Sequence, residues 1–286
     1  MFYLLNKSPM KVTPYCKNCL KALAEKTCYL SHGDKDVLLN CFMIIDELFG
    51  SDITPPAIAN KIHMLIREKT GVADPYAEKK DKEVSIAKRA IMELDELFSF
   101  DLEDVLKFSA LGNSTDTFLD AKTNFLDLSD IKFYAELDKI EKEIDREEKD
   151  VLILGDNVSD FLFDMKLIRF LENRGKNVYY AVKEAPVQND LCMIDVFKYQ
   201  FDKIFNNIIS TGTNKVGIEK KDLKGKIMEL WERDAVVIAK GMGNFETISE
   251  FRDGKKFIHI MKVKCPSISE AISFPEGSYV AIVRKF

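Results

Sequence analysis

Asp150-Val151-Leu152-Ile153-Leu154-Gly155-Asp156-Asn157-Val158-Ser159-Asp160 decides how the rest of this chain is read. The apolar run Val151 to Leu154, closed by Gly155, predicts a strand of a parallel sheet, because such strands are covered on both faces and need no polar alternation. Ser159 and Asp160 then stand where N-cap residues belong, ahead of a helix carrying Phe161, Leu162, Met165, Leu167, Ile168 and Phe170. The result is a strand, a turn bearing hard oxygen atoms, and a helix. Ligands of open α/β sheets sit outside the carboxyl ends of the strands, which puts Asp156 and Asn157 at a candidate site.

Outward from this stretch, Val178 to Val182, Ile208 to Ser210, Ala235 to Ala239, Phe257 to Val263 and Tyr279 to Val283 are further strand candidates, with helical patterns between most of them. That alternation predicts an α/β class with a mostly parallel sheet over residues 150–286. Upstream, from Pro14 to Gly112, the pattern is helical throughout. Thr54-Pro55 and Asp74-Pro75 mark helix starts, and Gly33, Gly50 and Gly71 mark ends. The expected organisation is a helical domain over 1–125, a charged linking helix over 126–149 with the sparse stripe Ile131, Tyr134, Leu137, Ile140 and Ile144, and an α/β/α domain over 150–286.

The 286 residues are 46% hydrophobic with 20 phenylalanines, enough for a sizeable core. Net charge is −5, and basic residues alternate with acidic ones rather than forming a stripe, which argues against nucleic acid as a partner. No apolar run approaches the ~20 residues that span a bilayer, and Met1 to Met10 lacks a basic, then apolar, leader; a cytoplasmic chain without a membrane partner is expected. Six cysteines in a chain of this size read as free thiols. Cys16 and Cys19 form a C-x-x-C, but Cys28, Cys41 and His32 match no second ligand pair, so packing is preferred over zinc or redox chemistry.

The polar residues following the strands carry the chemistry. Asp156 and Asn157 follow the first strand, Lys183, Asn189 and Asp190 the second, Ser210, Thr211 and Gly212 the third, and Lys240, Gly241, Gly243 and Asn244 the fourth. Parallel strands bring these loops to one edge. Singly, each group reads as a cap or turn. Together, Asp156, Asn157 and Asp190 offer hard oxygen ligands to Mg²⁺ or Mn²⁺, Lys240 offers a point charge, and the N–H groups of Gly241 to Asn244 form an anion nest before a helix. Metal-assisted phosphate ester hydrolysis through an activated water is the expected reaction. A covalent route through Asp156 ranks lower, since no acid stands two residues on.

Five ordered blocks, Gly155-Asp156-Asn157-x-x-Asp160, Ala185-Pro186-Val187-x-Asn189-Asp190, Ser210-Thr211-Gly212-Thr213, Lys240-Gly241-Met242-Gly243-Asn244-Phe245-Glu246-Thr247 and, upstream, Tyr15-Cys16-x-x-Cys19 with Asp74-Pro75-Tyr76, Lys80 and Gly112-Asn113-x-x-Asp116, resemble the domain-of-unknown-function-89 family of metal-dependent damage-control phosphatases. The resemblance spans nearly the whole chain. It implies an N-terminal helical bundle on a Rossmann-like α/β/α domain. A divalent ion (Mn, Mg, Co or Ni) is implied on Asp156, Asn157 and Asp190, with Lys240 on the substrate phosphate. It further implies that Asn113 and Asp116 approach from the helical half, that Glu246 helps orient the site, and that the substrate is a small phosphorylated metabolite, a sugar phosphate or a damaged or surplus phosphometabolite. Where the family usually reads Asp-Asn-Ala-Gly-Glu, this chain has Asp156-Asn157-Val158-Ser159-Asp160, an acid shorter by one methylene. Two rivals stand beside the phosphatase: an S-adenosylmethionine-dependent carboxyl methyltransferase and a phosphometabolite-binding protein without turnover. The first wants a glycine-rich turn and an acid at the second strand's end, where this chain has Gly155 alone and Lys183.

Overall fold

The buried strand expected at 151–154 forms the middle of the protein in a computed structural model that describes residues 10–114 and 131–286. Among these the helices are α1 (Pro14–Leu30), α2 (Lys35–Leu48), α3 (Pro55–Thr70), α4 (Ala77–Leu94), α5 (Leu102–Leu111), α6 (Leu137–Ile144), α7 (Asp160–Asn173), α8 (Met193–Lys198), α9 (Lys226–Glu232), α10 (Gly241–Ile248) and α11 (Pro266–Ile272). The strands are β1 (Phe133–Ala135), β2 (Asp150–Leu154), β3 (Asn177–Val182), β4 (Ile208–Ser210), β5 (Val236–Lys240), β6 (Lys256–Lys262) and β7 (Tyr279–Lys285), in one sheet of order β1-β7-β6-β5-β2-β3-β4. Every pairing is parallel except β6 with β7. This is the expected α/β class.

Two-sided burial explains the unbroken apolar run of β2. Val151 and Ile153 enter one core with α5 and α7, while Leu152 and Leu154 enter the other with Trp231, Phe251 and Phe257. β2 lies between β3 and β5, so the chain leaves β2 in one direction and returns to its other side. That is the topological switch point, where a crevice opens beyond the strand ends. The residues after β2 and β5 face each other across it.

Local signals set most helix ends. Asp34 and Asp101 accept from the N–H groups of Val37 and Asp104 at 2.9 and 3.0 Å, Pro55 opens α3, and Gly71 closes it at φ +72°. Asp74-Pro75 starts no helix directly: Tyr76 N–H donates to Asp74 Oδ1 at 3.1 Å, and α4 begins at Ala77. The single linking helix expected over 126–149 is also corrected. Its described part is the edge strand β1, paired with β7, followed by α6. Tertiary pairing overrides the helical spacing of Ile131, Tyr134 and Leu137 there. Helices α1 to α3 enclose a core of their own around Cys41, Ile45, Ile58 and Ile62, whereas α4 and α5 share the sheet's core through Ala87, Leu106 and Phe108. All six cysteines are free thiols. No described helix is long and apolar enough to cross a membrane.

His259, on β6, sets an acid limit on stability. Both ring nitrogens are buried without a partner, among Phe245, Phe257 and Phe286. Burial keeps the ring neutral and pushes its pKa down to about 3 from 6.5. The unfolded chain therefore takes up this proton first, so stability is full above pH 6.5 and falls as pH drops toward 3. Between pH 7 and pH 5 this residue alone removes about 2 kcal/mol, at ~1.4 kcal/mol per pH unit. Urea unfolding at the two pH values is expected to show that loss in the wild type and a correspondingly smaller one in His259→Leu. Equal losses in both proteins would contradict it.

Candidate active site

An isolated antiparallel bridge between Asn157 and Asp190 ties the turn after β2 to the loop after β3. Leu191 N–H donates to Asp156 O at 2.8 Å, and Val158 N–H to Asn189 O at 2.9 Å, so the two loops are held as a pair. Their side chains line a hollow of about 240 Å³ together with Asn113, Lys79, Gln188, Val216, Met242, Gly243 and Lys264. Asn113, in the turn after α5, donates to Asp156 Oδ2 at 2.8 Å and accepts from Lys262 N–H at 3.2 Å. Asn189 Nδ2 donates to Asn157 Oδ1 at 2.8 Å and to Glu83 of α4 at 3.0 Å. Gly241, at φ +74°, lies so close to Asp156 that a Cβ there would overlap its carboxylate. The hollow thus joins the helical segment to the sheet's switch point.

Negative charge is crowded here. Burial pushes the carboxyls of Asp156, Asp160 and Asp190 above the ordinary range, and the charge of Asp156 raises the other two further. Lys264 and Lys183 oppose the rise at Asp156, and Lys183 does so at Asp190. Asp190 Oδ2 is buried without a hydrogen bond; Lys183 Nζ stands 3.7 Å away, an ion pair too long to satisfy it, and donates instead to Gly217 O at 2.6 Å. An orphaned carboxylate oxygen beside a second carboxylate and an amide oxygen is a donor set that fits a hard dication. Among the described residues no three His, Cys, Asp or Glu side chains form a metal-ligand group, so this set would be completed by water or substrate oxygens, as Mg²⁺ accepts.

Residues 12–280 match the model of the damage-control phosphatase ARMT1-like domain. The chain belongs to this family. A damage-control phosphatase of Pyrococcus horikoshii is 30% identical over 288 residues, covering 97% of this chain and 99% of that protein. A damage-control phosphatase of Archaeoglobus fulgidus is 25% identical, covering 96% and 99%. The crystal structure of a domain-of-unknown-function-89 protein from P. horikoshii superposes with a TM-score of 0.79 at 25% identity, over 96% of this chain and 99% of that one. The helix-bearing α/β architecture is therefore that of the damage-control phosphatase family.

Within this damage-control phosphatase domain the expected site residues divide. Asp156, Asn157, Asp190, Asn113 and Gly243 line the hollow, and Gly241 packs against its carboxylate. Lys240 does not reach it: its buried ammonium spends its donors on Ser109 O at 2.8 Å, Ser109 Oγ at 2.6 Å and Asp164 Oδ1 at 2.6 Å. The expectation that Lys240 touches a phosphate is corrected to a charge beneath the site, felt by Asp156 and Asp160. Asn244 is a fastener, its amide donating to Gly155 O at 3.1 Å and Lys240 O at 2.8 Å. Ser210 bonds Glu184, Gly212 packs on Lys224, and Thr211 is buried in its own turn; none of the three lines the hollow. Glu246 lies outside the hollow's lining: burial pushes its carboxyl up to about 8, and its charge adds to the burial that raises the thiols of Cys19 and Cys265. Asp116 lies outside the described residues.

Sequence reasoning missed Lys264, Lys79, Glu83 and Gln188. Lys264 stands two residues beyond the carboxyl end of β6, on the edge where the other loops emerge, so extending the strand-end rule to that strand finds it. Lys79 pairs with Glu83 at 3.2 Å on α4, which pairs in turn with Asn189; nothing in the local sequence reports that approach. Its neighbour Lys80 is spent on Asp74 and Asp195 at 2.6 and 2.8 Å.

Proposed function

We propose that this chain is a metal-dependent phosphatase that hydrolyses small phosphorylated metabolites, sugar phosphates or damaged or surplus phosphometabolites, through an activated water. One observation carries the reading: Asp156 and Asn157 from the turn after β2 and Asp190 from the loop after β3 share one hollow at the switch point, with an unsatisfied carboxylate oxygen among them. When bound there, Mn²⁺, Mg²⁺, Co²⁺ or Ni²⁺ supplies positive charge against phosphoryl oxygens and makes a water a better nucleophile at neutral pH. The protein's own groups do the positioning. Asn113 and Asn189 orient Asp156 and Asn157, and the Asn157 N–H donates to Asp160 Oδ2 at 3.0 Å, fixing the turn. Lys264 and Lys79 are the cationic residues on the hollow's lining, Lys79 shared with Glu83 at 3.2 Å, and they offset the substrate's remaining negative charge. The start of α10 at Met242 and Gly243 adds N–H groups of a helix N-terminus. At about 240 Å³ the hollow is below the usual range for drug-sized ligands, which suits a phosphoryl group on a small body.

The methyltransferase reading loses support from the same geometry. The position just after β3 is Lys183, turned to Gly217 and Asp190, where a nucleoside's ribose would want an acid. The test is a panel of sugar phosphates and other phosphometabolites, assayed for phosphate release with each of the four ions and after exhaustive chelation. Turnover that needs an ion is expected. Undiminished turnover after chelation, or saturable binding with no turnover under any ion, would overturn the proposal.

A further inference from the structure

A second cavity, of about 630 Å³, opens on the other side of the 214–217 segment, between α3, α10 and residues 219–221. It is more than twice the hollow's volume and within the range of small-molecule sites, roughly 300–1,000 Å³. One flank is apolar, formed by Ile53, Ala57, Met64 and Phe251. The rim is basic. Most of its cations are engaged: Lys215 pairs with Asp222 and Glu219, Lys220 with Asp253, and Arg67 donates to Pro186 O at 2.8 Å. Lys61 is exposed and makes no ion pair among the described residues.

His63 borders both this cavity and a smaller one beside Tyr76 and Pro186, and its Nε2 is shut off from both with no hydrogen-bond partner. Burial and the neighbouring Arg67 push its pKa down to about 4, so the ring is neutral near pH 7 and adds no positive charge to the cavity wall. The cavity is closed off from the hollow. Asn60 of α3 grips Val216 through both backbone groups, Val216 N–H to Oδ1 at 2.7 Å and Nδ2 to Val216 O at 3.3 Å, while Gly217 O is held by Lys183. A substrate in the hollow does not extend across that wall while it stands.

We propose that this cleft is a second ligand site, separate from the metal hollow, for a small organic phosphate with an apolar body: the body against Ile53, Ala57, Met64 and Phe251, and the oxyanion at Lys61. The assignment does not depend on the phosphatase reading, because neither Asp156 nor Asp190 contributes to it. AMP is a suitable probe, with adenosine and ribose 5-phosphate as arms that carry only the body or only the anion. Calorimetry in the presence of a chelator is expected to show one saturable AMP site, at least tenfold tighter than either fragment, and unchanged in Asp156→Asn. Lys61→Glu, at an exposed position, is expected to weaken AMP about tenfold, and Ala57→Trp to fill the cleft and abolish binding, with melting curves checking that both variants fold. Absence of saturable AMP binding, AMP binding unaltered in Lys61→Glu, or adenosine binding as tightly as AMP would overturn the assignment.

Discussion

Asp156→Asn is expected to lower ion-dependent phosphate release by about a thousandfold or more, equivalent to ~4 kcal/mol of lost transition-state stabilisation. The replacement keeps size and shape but removes the formal charge that a dication needs from this turn. Stability should move the other way or stay level. Burial already pushes the Asp156 carboxyl upward, and it shares a crowded acidic site with Asp160 and Asp190, so a neutral amide relieves a repulsion the fold now tolerates. Steady-state kinetics and a thermal melt on the same preparation check both halves. A variant that retains most ion-dependent turnover removes Asp156 from the metal site, and one that melts far below the wild type assigns the side chain to the fold instead.

Lys240→Met is the second large effect, and it falls on stability. Lys240 and Asp164 are both fully buried and ion-paired, and Asp164 keeps only Ser109 Oγ and Tyr180 Oη as donors once the ammonium is gone. Leaving one member of a buried pair costs about 3–5 kcal/mol. In a chain of this size that lowers Tm on the order of 10 °C. The double replacement Lys240→Met with Asp164→Leu is expected to recover most of the loss, since removing both charges leaves neither uncompensated. Denaturant titration of the two variants reads this directly. Were Lys240→Met to unfold like the wild type while losing activity, the ammonium would belong to substrate binding after all.

The difference between Asp156 and Lys240 shows what was legible in the sequence. Asp156 stands two residues beyond β2 and Lys240 ends β5, both at the edge where ligands gather, and both are charged. Asp156 has a loop partner fixed by short-range order, since Asn157 and Asp190 each sit at a turn beyond neighbouring parallel strands. Lys240 has a long side chain, and its destination depends on α5 and α7 delivering Ser109 and Asp164 beneath β5. Strand periodicity cannot report that. The same limit hid Lys79 and Glu83, whose helix must first dock on the loop after β3. The strands themselves were legible because two-sided burial leaves an apolar run no alternative. Among the described strands only β1, three residues in a charged segment at the sheet's edge, escaped, for its pairing with β7 is decided 146 residues later in the chain, as Phe133 against Tyr279 shows. Ser210 to Gly212 carry the polar composition of a site loop, yet their hydrogen bonds close on Glu184 and on themselves.

Asp156, Asn157 and Asp190 are proposed to hold one divalent ion. Anomalous diffraction from a crystal grown with Mn²⁺, collected near the manganese edge, addresses it without reference to any substrate. A single strong peak within bonding distance of both carboxylates and the Asn157 amide oxygen is the predicted result. A peak elsewhere, or none while Mn²⁺ supports turnover, would contradict it.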